Sequence, residues 1–384
     1  MRNPTAAALL ALALLPISAG YARAAEAHLA LATQPQSPAP LSDAELRSRL
    51  ERYLDAAAAE GFTGTVLVAR KGTVLVEKGY GNRIPGQSSP VAADTVYTTG
   101  SITKQFTAAA ILKLEEMGKL SVDDPISKFL SGVPADKRAI TIHELLTHTS
   151  GMPSSYKAEG LVDRDHALAE LLRQKLGSRP GEKYSYSNDG YNLLAIIVDL
   201  ASGVGFDAFV LDSLLGPAGM ERSGVWGRER PEVPIAALPD PRHTRGRLPT
   251  IYWDGHSVAN WGYRGPGGVY ATAPDLHRWI QALRSGGILD ESSLRLMLGR
   301  HVLVREDSTM RSFSGYGWGV RVERGKDASY GHVGDDDWLG HNGVIRFTPE
   351  GGIVIVLSNS GEVDGEGWAS RVNRAIRRVM DVPR

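Results

Sequence analysis

A serine and a lysine three residues apart, Ser101 and Lys104, stand at the head of an apolar stripe (Ile102, Phe106, Ala109, Ala110, Leu114, Met117) that keeps helical spacing until Gly118 supplies a stop. Positions i and i+3 of a helix share a face. The run Thr98-Thr99-Gly100-Ser101-Ile102-Thr103-Lys104 therefore offers a hydroxyl with an amine beside it. That is a nucleophile next to a base, provided burial or a nearby positive charge keeps the amine neutral. Taken alone, the same pattern equally describes a helix-capping serine ahead of a solvent-facing lysine. Partners elsewhere in the chain have to decide.

Two further stretches offer them. Tyr184-Ser185-Tyr186-Ser187-Asn188 follows Pro180-Gly181 and precedes a helical pattern, so Tyr186 and Asn188 can face one cleft from an irregular segment. A phenol held beside an ammonium has its pKa lowered; on that basis Tyr186 is expected to act as general base toward Ser101 and as acid toward a leaving group. The plain alternative is that these tyrosines pack and cap. The second stretch is Tyr330-Gly331-His332-Val333-Gly334, a strand pattern whose glycines let backbone approach a substrate and whose histidine can read it.

The elements that must carry these groups follow from periodicity. A helix is expected from Asp43 to Ala59, and valine-rich runs Thr65–Arg70 and Thr73–Gly79 joined by Lys71-Gly72 read as a hairpin. Helices dominate from Ile140 to Leu298: Ile142–His148, His166–Leu176, Tyr191–Ala201, Phe206–Leu215 and Pro274–Arg284, the last with Thr272 and Asp275 as a capping box. Strands return at Tyr316–Glu323, Ser329–Gly334, Val344–Thr348 and Ile353–Leu357, and a helix from Gly367 to Met380 ends the pattern. Strands at both ends around a helical middle imply an α+β fold: an antiparallel sheet built from N- and C-terminal segments and flanked by helices, with a mostly helical domain inserted. The expected domains are 43–120 plus 299–384 for the sheet and 121–298 for the helices, with the active site between them. Val225 to Gly268, rich in Pro, Gly, Trp, Arg and His, has no clear period and reads as a long loop that shapes the site through Trp226, Tyr252, Trp253, Trp261 and Tyr263.

Taken in this order, S-x-x-K, Tyr-Ser-Asn and a late His-x-Gly resemble the penicillin-recognising serine hydrolases: class C β-lactamases, D-alanyl-D-alanine peptidases and their family VIII esterase-like relatives. Ile142-His143-Glu144-Leu145-Leu146-Thr147-His148-Thr149-Ser150-Gly151 and Gly267-Gly268-Val269-Tyr270-Ala271-Thr272-Ala273 are similar to segments of that group, and the likeness spans nearly the whole chain after its leader. The resemblance implies a β-lactamase/transpeptidase-like fold and an acyl-enzyme on Ser101, with Lys104 and Tyr186 shuttling the proton. It further implies substrate contacts from Asn188, His332, Gly334 and Asp335, where backbone N–H groups of Ser101 and Asp335 hold the oxyanion. Asp335 sets a carboxylate beside that site, tolerable if its side chain turns outward. His332 is preferred over His341, the other late His-x-Gly, because it leaves a loop and then a full strand before Pro349. Where class C β-lactamases usually carry lysine this chain has His332, mostly neutral at pH 7, which favours a peptidase or esterase over a specialised β-lactamase.

Competing motifs have plainer readings. Ser154–Lys157 repeats S-x-x-K, Tyr80-Gly81-Asn82 repeats Tyr-x-Asn, and Lys175-Leu176-Gly177 is a Lys-x-Gly, all out of order or context. His143-Glu144 with His148 differs from H-E-x-x-H by one residue, which swings His148 about 140° around a helix. Asp335, Asp336 and Asp337 read as a solvated turn, no G-x-S-x-G occurs, and neither a metal nor another cofactor is expected.

Composition fits a soluble hydrolase. The 384 residues carry 43 basic and 43 acidic side chains, which offers no field for nucleic acid. The absence of cysteine excludes disulfides, thiolate metal sites and a lipidated leader. Met1-Arg2, the apolar run Ala6–Ile17 and Ala22-Arg23-Ala24 read as a cleavable signal over 1–24, with 25–42 as a flexible linker and a periplasmic or secreted destination. The apolar run is short of the roughly 20 residues a bilayer span needs. The expected partner is a small-molecule or peptide substrate, with no membrane span after cleavage. A non-catalytic exported protein that binds cell-wall peptide in the same cleft is the contrasting reading.

Overall fold

Hydrophobic alternation at both ends of the chain builds one sheet. The computed structural model describes residues 41–84, 87–226, 260–325, 328–336, 340–363 and 365–381. The chain divides into a small unit, 1–42 with 381–384, and a large one, Asp43–Met380, which carries everything below. Helix α1 spans Asp43–Ala59, then β1 (Gly64–Arg70) and β2 (Thr73–Tyr80) form the expected hairpin. Its two-residue turn Lys71-Gly72 has φ of 50° and 84°, the positive pair that matches hairpin twist. From the other end come β6 (Val302–Glu306), β7 (Met310–Ser314), β8 (Gly319–Glu323), β9 (Ser329–Asp336), β10 (His341–Phe347) and β11 (Ile353–Ser358). The eight strands order as β2-β1-β11-β10-β9-β8-β7-β6, each adjacent pair antiparallel. The N-terminal hairpin is thus docked on the last strand, the α+β arrangement expected.

Strands β1 and β11, second and third from one edge of the sheet, are buried on both faces. Leu67, Ala69, Ile353, Ile355 and Leu357 point into the main core, while Val66, Val68, Val354 and Val356 serve the opposite face. α1 and the last helix, α9 (Trp368–Asp381), cover that second face with Leu46, Leu50, Leu54, Trp368, Val372 and Ile376 buried. The main core runs without a break into the helical segment. There α2 (Lys104–Glu116), α3 (Ile142–Leu146), α4 (Arg164–Arg173), α5 (Asn188–Ser202), α6 (Phe206–Val210), α7 (Ala273–Arg284) and α8 (Glu291–Met297) pack together. A small sheet of β3 (Tyr97–Thr98), β5 (Val269–Ala271) and β4 (Gly224–Val225) lies among them.

Several expectations shift in detail. The nucleophile segment is not the first turn of a helix: Gly100–Thr103 is a 3₁₀ turn, and α2 begins at Lys104. Helix Phe206–Leu215 becomes α6 followed by a π-turn, Leu211–Leu215. The Thr272 capping box is half made. Its side chain accepts the Asp275 N–H, but the Asp275 carboxylate turns away to accept from Arg222 N–H and the Ser223 hydroxyl. Strands β6 and β7 were not anticipated, because β6 is a largely exposed edge with no buried alternation to read.

Candidate active site

Ser101 sits on the 3₁₀ turn between β3 and α2, and three hydrogen bonds to Val269 fasten that turn. Thr99 donates both its N–H and its hydroxyl to the Val269 carbonyl, at 3.2 and 2.8 Å, and Val269 N–H donates to Thr103 Oγ1 at 3.1 Å. β9 presses against it from the other side. A Cβ at Gly334 would lie 2.0 Å from the Thr99 carbonyl oxygen, and one at Gly100, whose φ is +49°, would lie 2.7 Å from the Asp335 carbonyl oxygen. The glycine in His332-Val333-Gly334 is thus demanded by the nucleophile turn. The approach expected toward a substrate is first an approach of backbone to backbone.

Lys104 is fully buried. Its Nζ lies 3.0 Å from Ser101 Oγ, 2.7 Å from Asn188 Oδ1 and 3.2 Å from the Pro266 carbonyl oxygen. Burial holds its pKa well below the usual lysine value. A neutral amine has two N–H donors and one lone pair; the two donors match Asn188 Oδ1 and Pro266 O, which aims the lone pair at the serine hydroxyl. Tyr186 donates its O–H to the other side of Ser101 Oγ at 2.7 Å.

Here the expected role of Tyr186 is corrected. Burial, the largest influence, pushes its pKa up, partly opposed by the hydrogen bond to Ser101; the nearby Tyr184, Tyr156 and Asp335 add to the rise. The lysine does not counter this, because burial drives its amine toward the neutral form; Nζ lies 4.8 Å from the phenol ring centroid, and amine and phenol hydroxyl both contact Ser101 Oγ. Tyr186 therefore stands as a proton donor, and Lys104 is the group fit to be the base.

His332 lies on β9 and, with Ser101, Tyr186, Asn188 and Trp318, lines a cleft of about 610 Å³. Its Nδ1 is 2.6 Å from the Val333 carbonyl oxygen, and burial together with the Lys104 charge lowers its pKa to about 4. Asp335 is exposed on the same wall, with its backbone against Gly100. His341 goes elsewhere: it is buried, Nδ1 facing Thr98 N–H at 3.2 Å and Thr98 Oγ1 at 2.9 Å. It begins β10, so a full strand follows His341 before Pro349 as well and strand length does not separate the two histidines; only His332 of the pair opens on the cleft.

Three supporting parts carried no role in the sequence. His148, buried with φ +61°, accepts Ser187 N–H at Nδ1 (3.1 Å) and lies 4.5 Å, ring to ring, from Tyr186 and 5.0 Å from Tyr191. The Pro266 carbonyl is a ligand of Lys104 that no side-chain motif can advertise. Ser154, head of the discarded S-x-x-K, accepts Asn188 N–H at 2.8 Å and donates to the Tyr186 carbonyl at 3.1 Å. The zinc-like residues diverge: His143 Nδ1 is 2.7 Å from Tyr316 OH and Glu144 closes a capping box with Thr141. Of the loop aromatics, Trp226, Trp261 and Tyr263 are described and Tyr252 and Trp253 lie outside the described residues.

An eight-stranded antiparallel sheet, a helical segment packed on it and a serine–lysine–tyrosine cluster on the cleft where they meet define the β-lactamase/transpeptidase-like class of serine hydrolases. The chain belongs to the beta-lactamase family, whose model matches residues 46–375. It is similar to the octameric penicillin-binding protein homologue from Pyrococcus abyssi, 28% identical with a TM-score of 0.71 over 86% of this chain and 76% of that one. The penicillin-binding protein of Bacillus halodurans is 27% identical, with a TM-score of 0.70 over 86% and 99%. The D-amino acid amidase of Ochrobactrum anthropi SV3, solved with L-phenylalanine amide, shares the fold at 23% identity, with a TM-score of 0.71 over 88% and 97%.

Proposed function

We propose that this protein is an exported serine hydrolase acting through an acyl-enzyme on Ser101. One observation carries the reading: a single hydroxyl touches both a lysine whose pKa burial lowers and a tyrosine whose pKa burial raises. Lys104 takes the Ser101 proton as Oγ adds to the substrate carbonyl, and N–H groups of Ser101 and Asp335 hold the oxyanion. As the carbonyl re-forms, the leaving group departs with a proton from Tyr186, which Lys104 replaces. Water then adds to the ester, releases the acid and restores the serine hydroxyl.

The substrate class we favour is an ester or a D-peptide or amide, ahead of a β-lactam. A histidine neutral above about pH 4 gives the cleft no fixed cation where a specialised β-lactamase keeps one. Export rests on the basic start, apolar run and small residues of 1–24, which lie outside the described residues. Among the described residues, no single helix is long and apolar enough to cross a membrane.

A fluorophosphonate or fluorescent penicillin probe tests the chemistry. Labelling should vanish in Ser101→Ala and persist in Ser154→Ala; an unlabelled wild-type protein would sink the enzyme reading in favour of a non-catalytic binder of cell-wall peptide. Mass spectrometry after exposure to esters, D-peptides and β-lactams then names the acyl group. Sequencing the N-terminus of the mature protein from a periplasmic or culture fraction tests export, and an intact Met1 in the cytoplasm would refute it.

A further inference from the structure

The loop that follows α3 brings a second tyrosine to the site. Ser155 donates its N–H (2.9 Å) and its hydroxyl (2.8 Å) to the same oxygen of Asp189, a buried carboxylate that also takes a 2.9 Å bond from Gln174. With Ser154 bonded to the backbone of Tyr186 and Asn188, the loop is fastened directly onto the segment that carries the proton donor. The next residue, Tyr156, adopts φ +52°, a left-handed conformation that a side chain with a Cβ rarely takes. That conformation delivers its phenol to the cleft, where Asn188 Nδ2 donates to Tyr156 OH at 2.6 Å.

The two ends of the Asn188 amide thus have different tasks. Oδ1 is committed to Lys104, which fixes the amide orientation and turns Nδ2 toward the cleft. An amide N–H there suits a carbonyl oxygen on the acyl part of a substrate, and the phenol oxygen occupies it in the free enzyme. We propose that Tyr156 is a specificity-determining residue: its phenol competes with a substrate acylamido carbonyl for the Asn188 N–H, so the enzyme favours acyl groups that lack such a carbonyl. This rests on the acyl-enzyme reading above.

Two esters with the same leaving group isolate the effect, p-nitrophenyl acetate and the p-nitrophenyl ester of N-acetyl-D-alanine. They differ in whether an acylamido carbonyl is present near the scissile bond. Tyr156→Phe keeps the ring and removes the competing oxygen. It should raise the ratio of kcat/KM for the N-acetyl-D-alanyl ester over the acetate by about fivefold, the worth of one net hydrogen bond. A purely structural role would change both esters by the same factor. A ratio that stays the same or falls, in a variant whose Ser101 still takes the fluorophosphonate label, overturns the role of Tyr156 and leaves the acyl-enzyme standing. If the wild-type protein neither labels nor turns over either ester, the acyl-enzyme reading falls and this inference falls with it.

Discussion

Gly334 of β9 lies so close to Thr99, two residues before the nucleophile, that a single added methyl would meet the Thr99 carbonyl oxygen at 2.0 Å. Both partners are backbone, so neither can swing aside as a flexible side chain would. The sheet and the nucleophile turn are therefore seated on each other here, and the position of Ser101 relative to His332 and Asp335 depends on it. Gly334→Ala should separate β9 from the turn and reduce kcat/KM by about 100-fold, since small misplacements of reacting groups cost that much. It should also cost about 1–3 kcal/mol of stability, as overpacking does. Steady-state kinetics with a reporter ester and urea unfolding check both; an active, fully stable variant would show that the strand can yield.

The pH dependence of activity follows from which group loses its proton. Lys104 must be neutral to accept the Ser101 proton, and burial lowers its pKa; Tyr186 must stay protonated, and burial raises its pKa. Activity should therefore rise through an acid limb set by Lys104 and hold until alkaline pH. His332 titrates separately, at about 4. His332→Gln should change the height of the kcat/KM profile and leave the position of its acid limb in place. A limb that moved in that variant would transfer the titration to the histidine.

Lys104 also makes stability depend on pH. In the unfolded chain it binds a proton below about 10.5, whereas in the folded protein it binds one only well below that. Between those values the unfolded state holds more protons, so stability rises with pH and is progressively lost as pH falls. The buried tyrosines, whose pKa values are raised, reverse the trend only where unfolded tyrosines ionise, at about pH 10. The urea midpoint should climb as pH rises toward about 10, where unfolded tyrosines ionise, and Lys104→Met should flatten the climb. Lys104→Arg keeps the charge at every pH and should lose at least about 100-fold in kcat. An unchanged slope in Lys104→Met would mean the amine is charged when folded.

Much of this was legible because periodicity and chain order survive folding. The valine-rich runs at β1 and β2 and the apolar run at β11 foretold strands, and the order of the motifs singled out Ser101, Tyr186 and His332, which the structure places around one cleft. The illegible parts share a physical reason. The ligand that completes Lys104 is a backbone carbonyl, Pro266 O, and carbonyls have no sequence signature. Strand β6 is exposed and lacks alternation. The pKa of Tyr186 depends on how deeply the ring is buried, which three-residue spacings do not carry. Ser154 and Tyr156 looked like a spurious repeat because their partners, Tyr186 and Asn188, lie some thirty residues away.

His148 is the support beneath the proton donor. Its ring lies against that of Tyr186, 4.5 Å between centroids and tilted by 32°, its Nδ1 fixes the Ser187 N–H, and its carbonyl accepts Ser185 N–H at 2.8 Å, so both residues flanking Tyr186 are tied to it. The bond from Ser187 N–H requires Nδ1 to be unprotonated, and burial holds the imidazole pKa well below its ordinary value. His148→Phe retains a ring but leaves a buried N–H without its acceptor, at a cost of about 1–3 kcal/mol. His148→Ala also removes the platform and should cost about 3–5 kcal/mol. Because neither variant removes a group that touches Ser101 Oγ, both should still be labelled there, more slowly by about tenfold in Phe and more in Ala, with kcat falling further than KM rises. Equal labelling rates in all three proteins would mean that Tyr186 holds its place without the histidine.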